Sequence, residues 1–293
     1  MMRTMALKTQ FKDYYYLTKP GIIRGNLVTA LAGFLLASRG NVSFVTAIAM
    51  LMGLGLVIAS ASVTNNYLDI GLDKKMKRTL KRALVTGKIS KKSAISFAAT
   101  LLAAGGLVLG LLVNEISLAF ALFGWFAYVV VYGYFKRRTT LGTAVGSISG
   151  AVPPVVGYVA VTGRLDTAAI LLFLILAFWQ MPHFFAIAMF RAEDYTAASL
   201  PVLPVKKGFR ITKIQCLIYI IAYIVASVLL TIYGYTGKVY LVFMLLAGGY
   251  WLFRALQGYR TKDDTAWARK LFFTSLIILT LQCALIGANY ILV

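Results

Sequence analysis

Nine long apolar runs constrain the fold of this 293-residue chain more than any other feature of its sequence. A helix needs roughly 20 mostly apolar residues to cross about 30 Å of hydrocarbon. The runs that approach or meet this length cover residues 22–38, 44–64, 94–113, 117–135, 141–161, 168–189, 214–234, 239–256 and 271–292. We therefore predict an all-α integral membrane protein with about nine transmembrane helices, built as a single membrane-embedded domain over residues 1–293.

The composition excludes an ordinary water-soluble domain. Apolar residues make up 60% of the chain and charged residues only 13%, whereas soluble domains average about 45–50% and about 25%. The two cysteines, Cys216 and Cys283, lie alone inside apolar runs. Neither a disulfide framework nor a thiolate metal site is therefore expected.

The basic residues are distributed unevenly between the connections that join the apolar runs. Of the 30 Lys and Arg residues, 27 lie in one alternate set of connections, and only Arg39, Arg164 and Lys238 lie in the other. Positive connections stay on the cytoplasmic side of a membrane. We therefore expect a cytoplasmic N-terminal tail over residues 1–20, in a bacterial inner membrane or its organellar equivalent. The net charge of +21 then reflects topology and contact with the lipid bilayer, and nucleic acid is not expected as a partner.

Three oxygen-bearing side chains are spaced four residues apart at the inner end of the second run. Asn65, Asp69 and Asp73 share one face if the helix continues through them. Like charges at this spacing repel each other, so the pattern is a poor structural device. Mg²⁺ takes oxygen ligands and is often completed by substrate phosphates. The spacing therefore predicts a magnesium site.

Basic side chains follow these carboxylates in the chain. Arg78 and Arg82 come directly afterwards, and Tyr132, Lys136 and Arg137 end the fourth run. Arginine can bind phosphate oxygens in bidentate fashion, so both stretches are candidates for phosphate binding. The alternative is that they only anchor the helix ends at the membrane surface.

A second polar cluster begins inside the sixth run. It contains Pro182 and His183, the only histidine of the chain, and continues to Asp194 and Tyr195. If the helix persists, His183 and Asp194 share a face, because 11 residues are close to three full turns. Pro182 frees a backbone carbonyl, which is common where a helix lines a cavity. A histidine in such a run can also be a packing group with a hydrogen bond.

These motifs resemble those of a known family. The spacing of Asn65, Asp69 and Asp73, with arginines at 78 and 82, resembles the first aspartate-rich motif of the UbiA-type prenyltransferases. The segment 179–183, Trp-Gln-Met-Pro-His, with Glu-Asp-Tyr at 193–195, is similar to the haem O synthase (protohaem IX farnesyltransferase) branch of that superfamily. Residues 17–21, 132–137 and 150–157 resemble further blocks of the family.

The resemblance implies a helical bundle around a cavity open to the inner leaflet, which binds farnesyl diphosphate, Mg²⁺ and haem B as a second substrate. Product haem O implies haem-copper oxidase assembly machinery as a partner. The implied catalytic residues are Asn65, Asp69, Asp73, Lys136 and Asp194. All of these except Lys136 are implied metal ligands, with Asp194 serving a second ion. The implied substrate-binding residues are Arg78, Arg82, Tyr132, Arg137, His183 and Tyr195. His183 is expected to position haem either as an axial ligand or through a propionate.

Three other functions were weighed against this one. An aromatic prenyltransferase of quinone biosynthesis would share the first motif, but the Trp-Gln-Met-Pro-His segment favours haem. A transporter would place its charges near mid-membrane, whereas both acidic clusters lie at the inner ends of runs. A membrane cytochrome with a permanent haem is disfavoured because one histidine cannot provide bis-histidine ligation.

Overall fold

The structure, a computed structural model, describes residues 11–292 as helices and short connections. Residues 1–10 of the predicted N-terminal tail, and Val293, lie outside the described residues. Within the described part, nine helices are long and apolar enough to cross a membrane. They are α1 (Pro20–Ser38), α2 (Phe44–Leu68), α3 (Lys91–Leu112), α4 (Glu115–Phe135), α5 (Gly142–Thr162), α6 (Thr167–Phe190), α7 (Leu203–Ile232), α8 (Lys238–Tyr259) and α9 (Asp264–Tyr290).

The predicted all-α class and the number of spans are confirmed, but two helices begin earlier than expected. Helix α7 begins at Leu203 and α9 at Asp264, against predicted starts at residues 214 and 271. Both extensions are polar, and α7 is kinked at Gly208 (φ 80°, ψ 169°), inside its polar extension. Hydropathy detects the part of a helix that lies in hydrocarbon, so it does not detect turns that continue outside it.

Large apolar side chains cover much of the outside of the bundle. Leu111, Leu246 and Ile277 are 77%, 66% and 69% exposed. A soluble monomer rarely exposes apolar surface on this scale, so these side chains face lipid. Inside, one apolar core joins α5 to α9 and a second joins α1 to α5.

Helices α1 and α5 approach each other until their backbones touch. A Cβ atom added at Gly157 would lie 1.8 Å from the carbonyl oxygen of Ala30, and one added at Gly33 would lie 2.1 Å from that of Pro154. Glycine is therefore required at both positions by space alone. This contact packs the second half of α1 directly against α5.

We expect Gly157→Ala to destabilise the protein by about 1–3 kcal/mol, the usual cost of overpacking a core. The clash is with backbone, which cannot move as a flexible side chain would. The melting temperature of detergent-solubilised protein would measure this effect. Gly249→Ala is the matched control, because that helical glycine of α8 has open space around it and alanine favours a helix. Equal melting temperatures for the two variants would contradict the argument.

Candidate active site

A cavity of about 480 Å³ lies among α1, α2, α4, α5, α6 and α9. It reaches from Lys136, just after α4, to Leu54 and Val57 near the middle of α2. Gly150 of α5 lets the side chain of Gln180 pack against the cavity wall, because a Cβ added there would lie 2.0 Å from Gln180 Oε1. Most of its lining is apolar. The space is suited to a hydrocarbon chain with a polar group at one end.

The first polar cluster lies beside the Lys136 end of this cavity. Helix α2 ends at Leu68, and Asp69 leads into a short helix, Ile70–Asp73. Backbone bonds from Asp69 to Asn65 (2.9 Å) and from Asp73 to Asp69 (2.8 Å) keep the helical spacing across this junction.

Asn65 and Asp69 direct oxygen atoms at a single cation. The Lys136 ammonium nitrogen is 2.9 Å from Asn65 Oδ1 and 2.5 Å from Asp69 Oδ2. The other carboxylate oxygen of Asp69 accepts a bond of 2.9 Å from Arg137, which also donates to the Leu68 carbonyl. Desolvation lowers the pKa of Lys136, although the adjacent Asp69 carboxylate opposes this change. The two oxygens therefore already converge on one positive centre.

Asp73 belongs to a neighbouring ion pair. Arg82 donates to Asp73 Oδ2 at 2.6 Å and to Asn66 Oδ1 at 3.1 Å. Asn66 in turn donates to the Leu17 carbonyl, and Thr79 donates to the Asp73 carbonyl. The basic segment after Asp73 thus folds back against α2 and the residues before α1, and it stays at the site.

Lys19 is a basic residue near these charges that the sequence reasoning did not include among the candidates. It precedes α1 in a left-handed backbone conformation (φ 56°, ψ 63°). Desolvation, with the positive charge of Arg82, lowers the pKa of Lys19 to about 7, while Asp69 acts in the opposite direction. Its place before Pro20, at the inner start of the first apolar run, was the available clue, but such a lysine also fits a membrane anchor.

The second polar cluster is divided between two helices. Helix α6 runs unbroken through Pro182 and ends at Phe190, and Arg191 (φ −115°, ψ 19°) separates it from the short helix Ala192–Ala197. The helix therefore does not persist from His183 to Asp194, and the condition under which these two residues would share a face is not met. Arg191 is the C-cap of α6 and the N-cap of the short helix, and its non-helical backbone interrupts the two.

The residues of the second cluster consequently differ in their surroundings. Asp194 Oδ2 is 4.0 Å from Arg191 Nη1, whereas Tyr195 and His183 line the cavity. Burial raises the pKa of Tyr195, and the nearby positive charge of Arg78 opposes this. Tyr195 therefore lies on the cavity wall near Arg78, and Asp194 precedes it on the same short helix.

The described residues fit a hard divalent cation that is completed by substrate. No group of three or more His, Cys, Asp and Glu side chains converges in the part of the chain that the structure describes. The site instead offers the amide oxygen of Asn65 and the carboxylate of Asp69, with Asp73 one turn away. Mg²⁺ characteristically binds through one or two carboxylates and substrate phosphates.

Sequence comparison identifies the family. Residues 26–277 match the sequence profile of the UbiA prenyltransferase family. The chain belongs to the UbiA prenyltransferase family. It is 48% identical over 267 residues to a protein named protoheme IX farnesyltransferase from Protochlamydia amoebophila (strain UWE25). The aligned region covers 91% of this chain and 94% of that protein. It is 46% identical over 280 residues to a protein of the same name from Yersinia pseudotuberculosis (serotype O:1b, strain IP 31758), covering 95% of each chain.

Solved structures show the UbiA fold independently. A structure described as digeranylgeranylglyceryl phosphate synthase superimposes with a TM-score of 0.80 at 19% identity, over 97% of this chain and all of that one. A UbiA homologue from Archaeoglobus fulgidus bound to GPP and Mg²⁺ superimposes with a TM-score of 0.71 at 17% identity, over 94% of this chain and 99% of that one. The predicted resemblance to the UbiA family and its haem O synthase branch is therefore confirmed.

Proposed function

We propose that this UbiA family member transfers the farnesyl group of farnesyl diphosphate to a vinyl group of haem B, with addition of water, to give haem O and diphosphate. The proposal rests on the convergence of Asn65 and Asp69 oxygens beside an apolar cavity. Relatives named protoheme IX farnesyltransferase, which match over more than nine-tenths of the chain, support the choice of substrates.

Asn65, Asp69 and Asp73 would hold Mg²⁺ against the diphosphate, and Asp194 would serve a second ion. When bound, Mg²⁺ supplies the Lewis acid that neutralises the leaving diphosphate. A prenyl diphosphate and Mg²⁺ in the A. fulgidus neighbour support this assignment. Lys136 and Arg137, which hold Asp69 in the structure, would then turn to the diphosphate oxygens.

The basic side chains stabilise the charge that develops when the C1–O bond of the substrate breaks. Lys136 is suited to this role because it contacts Asp69 and also lines the cavity. Arg78 and Arg82 would add positive charge from the segment folded over the site, and Lys19 from the start of α1. Fixed positive groups in a site that excludes water stabilise such a charge strongly.

The allylic cation would form among aromatic rings. Tyr128 and Tyr132 stack with ring centroids 5.5 Å apart, and both line the cavity. They lie on one π-helical stretch of α4, Ala127–Tyr132, a form that often occurs at functional sites. Their faces tolerate a cation while the apolar wall excludes water.

The acceptor is a vinyl group of haem B. Its terminal carbon would bond to farnesyl C1, and the resulting cation at the other vinyl carbon would take the oxygen of water, which then loses a proton. His183 would position haem from the α6 side of the cavity. The enzyme would reside in a cell inner membrane with its active site on the cytoplasmic side, and its product would pass to the machinery that assembles haem-copper oxidases.

The direct test is to incubate membranes containing the protein with haem B, farnesyl diphosphate and Mg²⁺, and to measure the mass of extracted haem. We expect a mass increase equal to one farnesyl group plus one hydroxyl group, and we expect this product to be lost when EDTA removes the metal. Prenylation of 4-hydroxybenzoate in place of haem would instead support the aromatic prenyltransferase of quinone biosynthesis.

We expect Asp69→Asn to reduce haem O formation by at least about 100-fold, because the negative charge that holds the metal is lost and only a neutral amide oxygen remains. Its two cationic partners keep a hydrogen-bond acceptor, so assembly into the membrane should be unchanged. Asp13→Asn is the control, since that carboxylate lies before α1 and forms no ion pair within the described residues. Normal turnover of Asp69→Asn would exclude Asp69 as a ligand.

We expect Lys19→Gln to raise the KM for farnesyl diphosphate roughly tenfold or more, the loss of one charged contact of about 1.5–3 kcal/mol. Because the pKa of Lys19 is about 7, its charge is lost as the pH rises. The ratio of KM values between variant and wild type should therefore shrink between pH 6 and pH 8. Exposed Lys12, changed in the same way, is the control. An unchanged KM at pH 6 would remove Lys19 from the site.

A further inference from the structure

The ring of His183 is held on three sides. Trp179 stacks on it with centroids 4.6 Å apart, and Phe272 of α9 packs against it at 4.8 Å. On the edge, Nδ1 is 2.8 Å from the hydroxyl oxygen of Ser275. The second ring nitrogen, Nε2, remains as the polar atom whose role these contacts do not explain.

The hydroxyl of Ser275 decides which nitrogen of His183 carries the hydrogen. Ser275 Oγ lies 2.6 Å from the carbonyl oxygen of Phe272, and a carbonyl oxygen can only accept. A serine hydroxyl has one hydrogen to donate, and this bond uses it. Toward His183 the same oxygen must therefore accept, which places a hydrogen on Nδ1.

The other ring nitrogen, Nε2, consequently carries a lone pair and no hydrogen. No carboxylate forms an ion pair with His183 among the described residues, and burying an uncompensated charge is costly, so the ring is neutral. A neutral imidazole carries one hydrogen, and Nδ1 has it. Nε2 is an acceptor and a potential metal ligand.

Nε2 is also accessible. It has no hydrogen-bond partner among the described residues. In the described part of the chain, only Ser117 Oγ and Trp251 Nε1 are side-chain polar atoms that are both fully buried and without a partner. Nε2 is therefore not fully buried. His183 is a buried residue that lines the large cavity. The lone pair therefore opens into the cavity.

Ser275 is itself held firmly. It is fully buried on α9, and its carbonyl oxygen accepts a bond of 2.8 Å from Trp179 Nε1. Trp179 and His183 are one turn apart on α6, so two hydrogen bonds tie the same face of α6 to one residue of α9. This arrangement fixes the orientation of the imidazole as well as its tautomer.

We propose that Ser275 is a positioning residue that holds His183 as the Nδ1–H tautomer, so that Nε2 ligates the iron of haem B from the cavity wall. The inference rests on the proposed function and deepens it. A propionate contact would require a donor, which Nε2 in this tautomer is not. Metal-bound histidines usually donate their other ring N–H to an oxygen in this way.

The tautomer can be measured directly because His183 is the only histidine of the chain. Protein labelled with ¹⁵N-histidine and purified without a histidine tag gives two ring-nitrogen signals, both from this residue. We expect a protonated Nδ1 and a bare Nε2 in haem-free wild-type protein. Ser275→Ala should populate the Nε2–H form. Thr274→Val is the matched control. Thr274 directly precedes Ser275, and its hydroxyl donates a comparable hydrogen bond to the backbone carbonyl of Lys270. A protonated Nε2 in the wild type would overturn the proposal.

Ligation is tested by titrating purified protein with ferric haem B and, separately, with metal-free protoporphyrin IX, which has the same propionates. We expect His183→Ala to weaken haem binding at least about tenfold and to change the spin state of the bound haem. Protoporphyrin binding should be unchanged in this variant. Added imidazole should restore the haem spectrum. Ser275→Ala should weaken haem binding about 10–100-fold. Equal losses for both porphyrins would indicate a propionate contact, and no loss for either would indicate packing; each result overturns the proposal.

These measurements are separable from the proposed function. Absence of haem O from wild-type membranes supplied with both substrates would refute the function, whatever the tautomer of His183. Normal haem O formation together with unchanged haem ligation in His183→Ala would refute only the role of His183. If Ser275→Ala does not fold, the wild-type tautomer and the two porphyrin titrations still decide the matter.

Discussion

Carboxylates at the end of a membrane-spanning helix must be neutralised by nearby positive groups, and the polar end of this structure is organised around that requirement. Asp69 is bound by Lys136 and Arg137, and Asp73 by Arg82. Removing one partner of a buried pair commonly costs 3–5 kcal/mol. The pairs therefore join α2 to the end of α4 and fold the basic segment after Asp73 over the site. Cations that can exchange a carboxylate for a phosphate are thereby kept beside the cavity.

The cavity separates two kinds of chemistry along its length. At one end, Lys136 and Tyr195 present charge and hydrogen-bonding groups, suited to a diphosphate. Toward α6 and α9, His183 presents a nitrogen lone pair among aromatic rings, suited to a metalloporphyrin. The small residues of α5 leave the space between them, where the C–C bond would form out of contact with bulk water.

Much of this arrangement could be predicted from the sequence, and its limits have physical causes. Apolar length identified all nine spans, and helical spacing brought Asn65 and Asp69 together. The same reasoning missed the polar starts of α7 and α9, because those turns need no hydrocarbon around them. The end of α6 was predicted within one residue, at 189 against Phe190, but the sequence left open whether the helix persists to Asp194, since neither glycine nor proline stands at Arg191 to mark the break. Lys19 was overlooked because a basic residue beside a span usually serves only as an anchor.

The sequence by itself determined the membrane class, the number of helices, the family and the residue types of the proposed metal site, because these follow from local composition and spacing. Only the tertiary structure decided which cations neutralise which carboxylates, that Lys19 lies near them, and that Ser275 contacts His183. The last pair is separated by 92 positions in the chain. Contacts of that kind arise from helix packing, in which backbone approach at Gly33 and Gly157 and side-chain shape fix the register between helices. Spacing along one helix carries no information about that register.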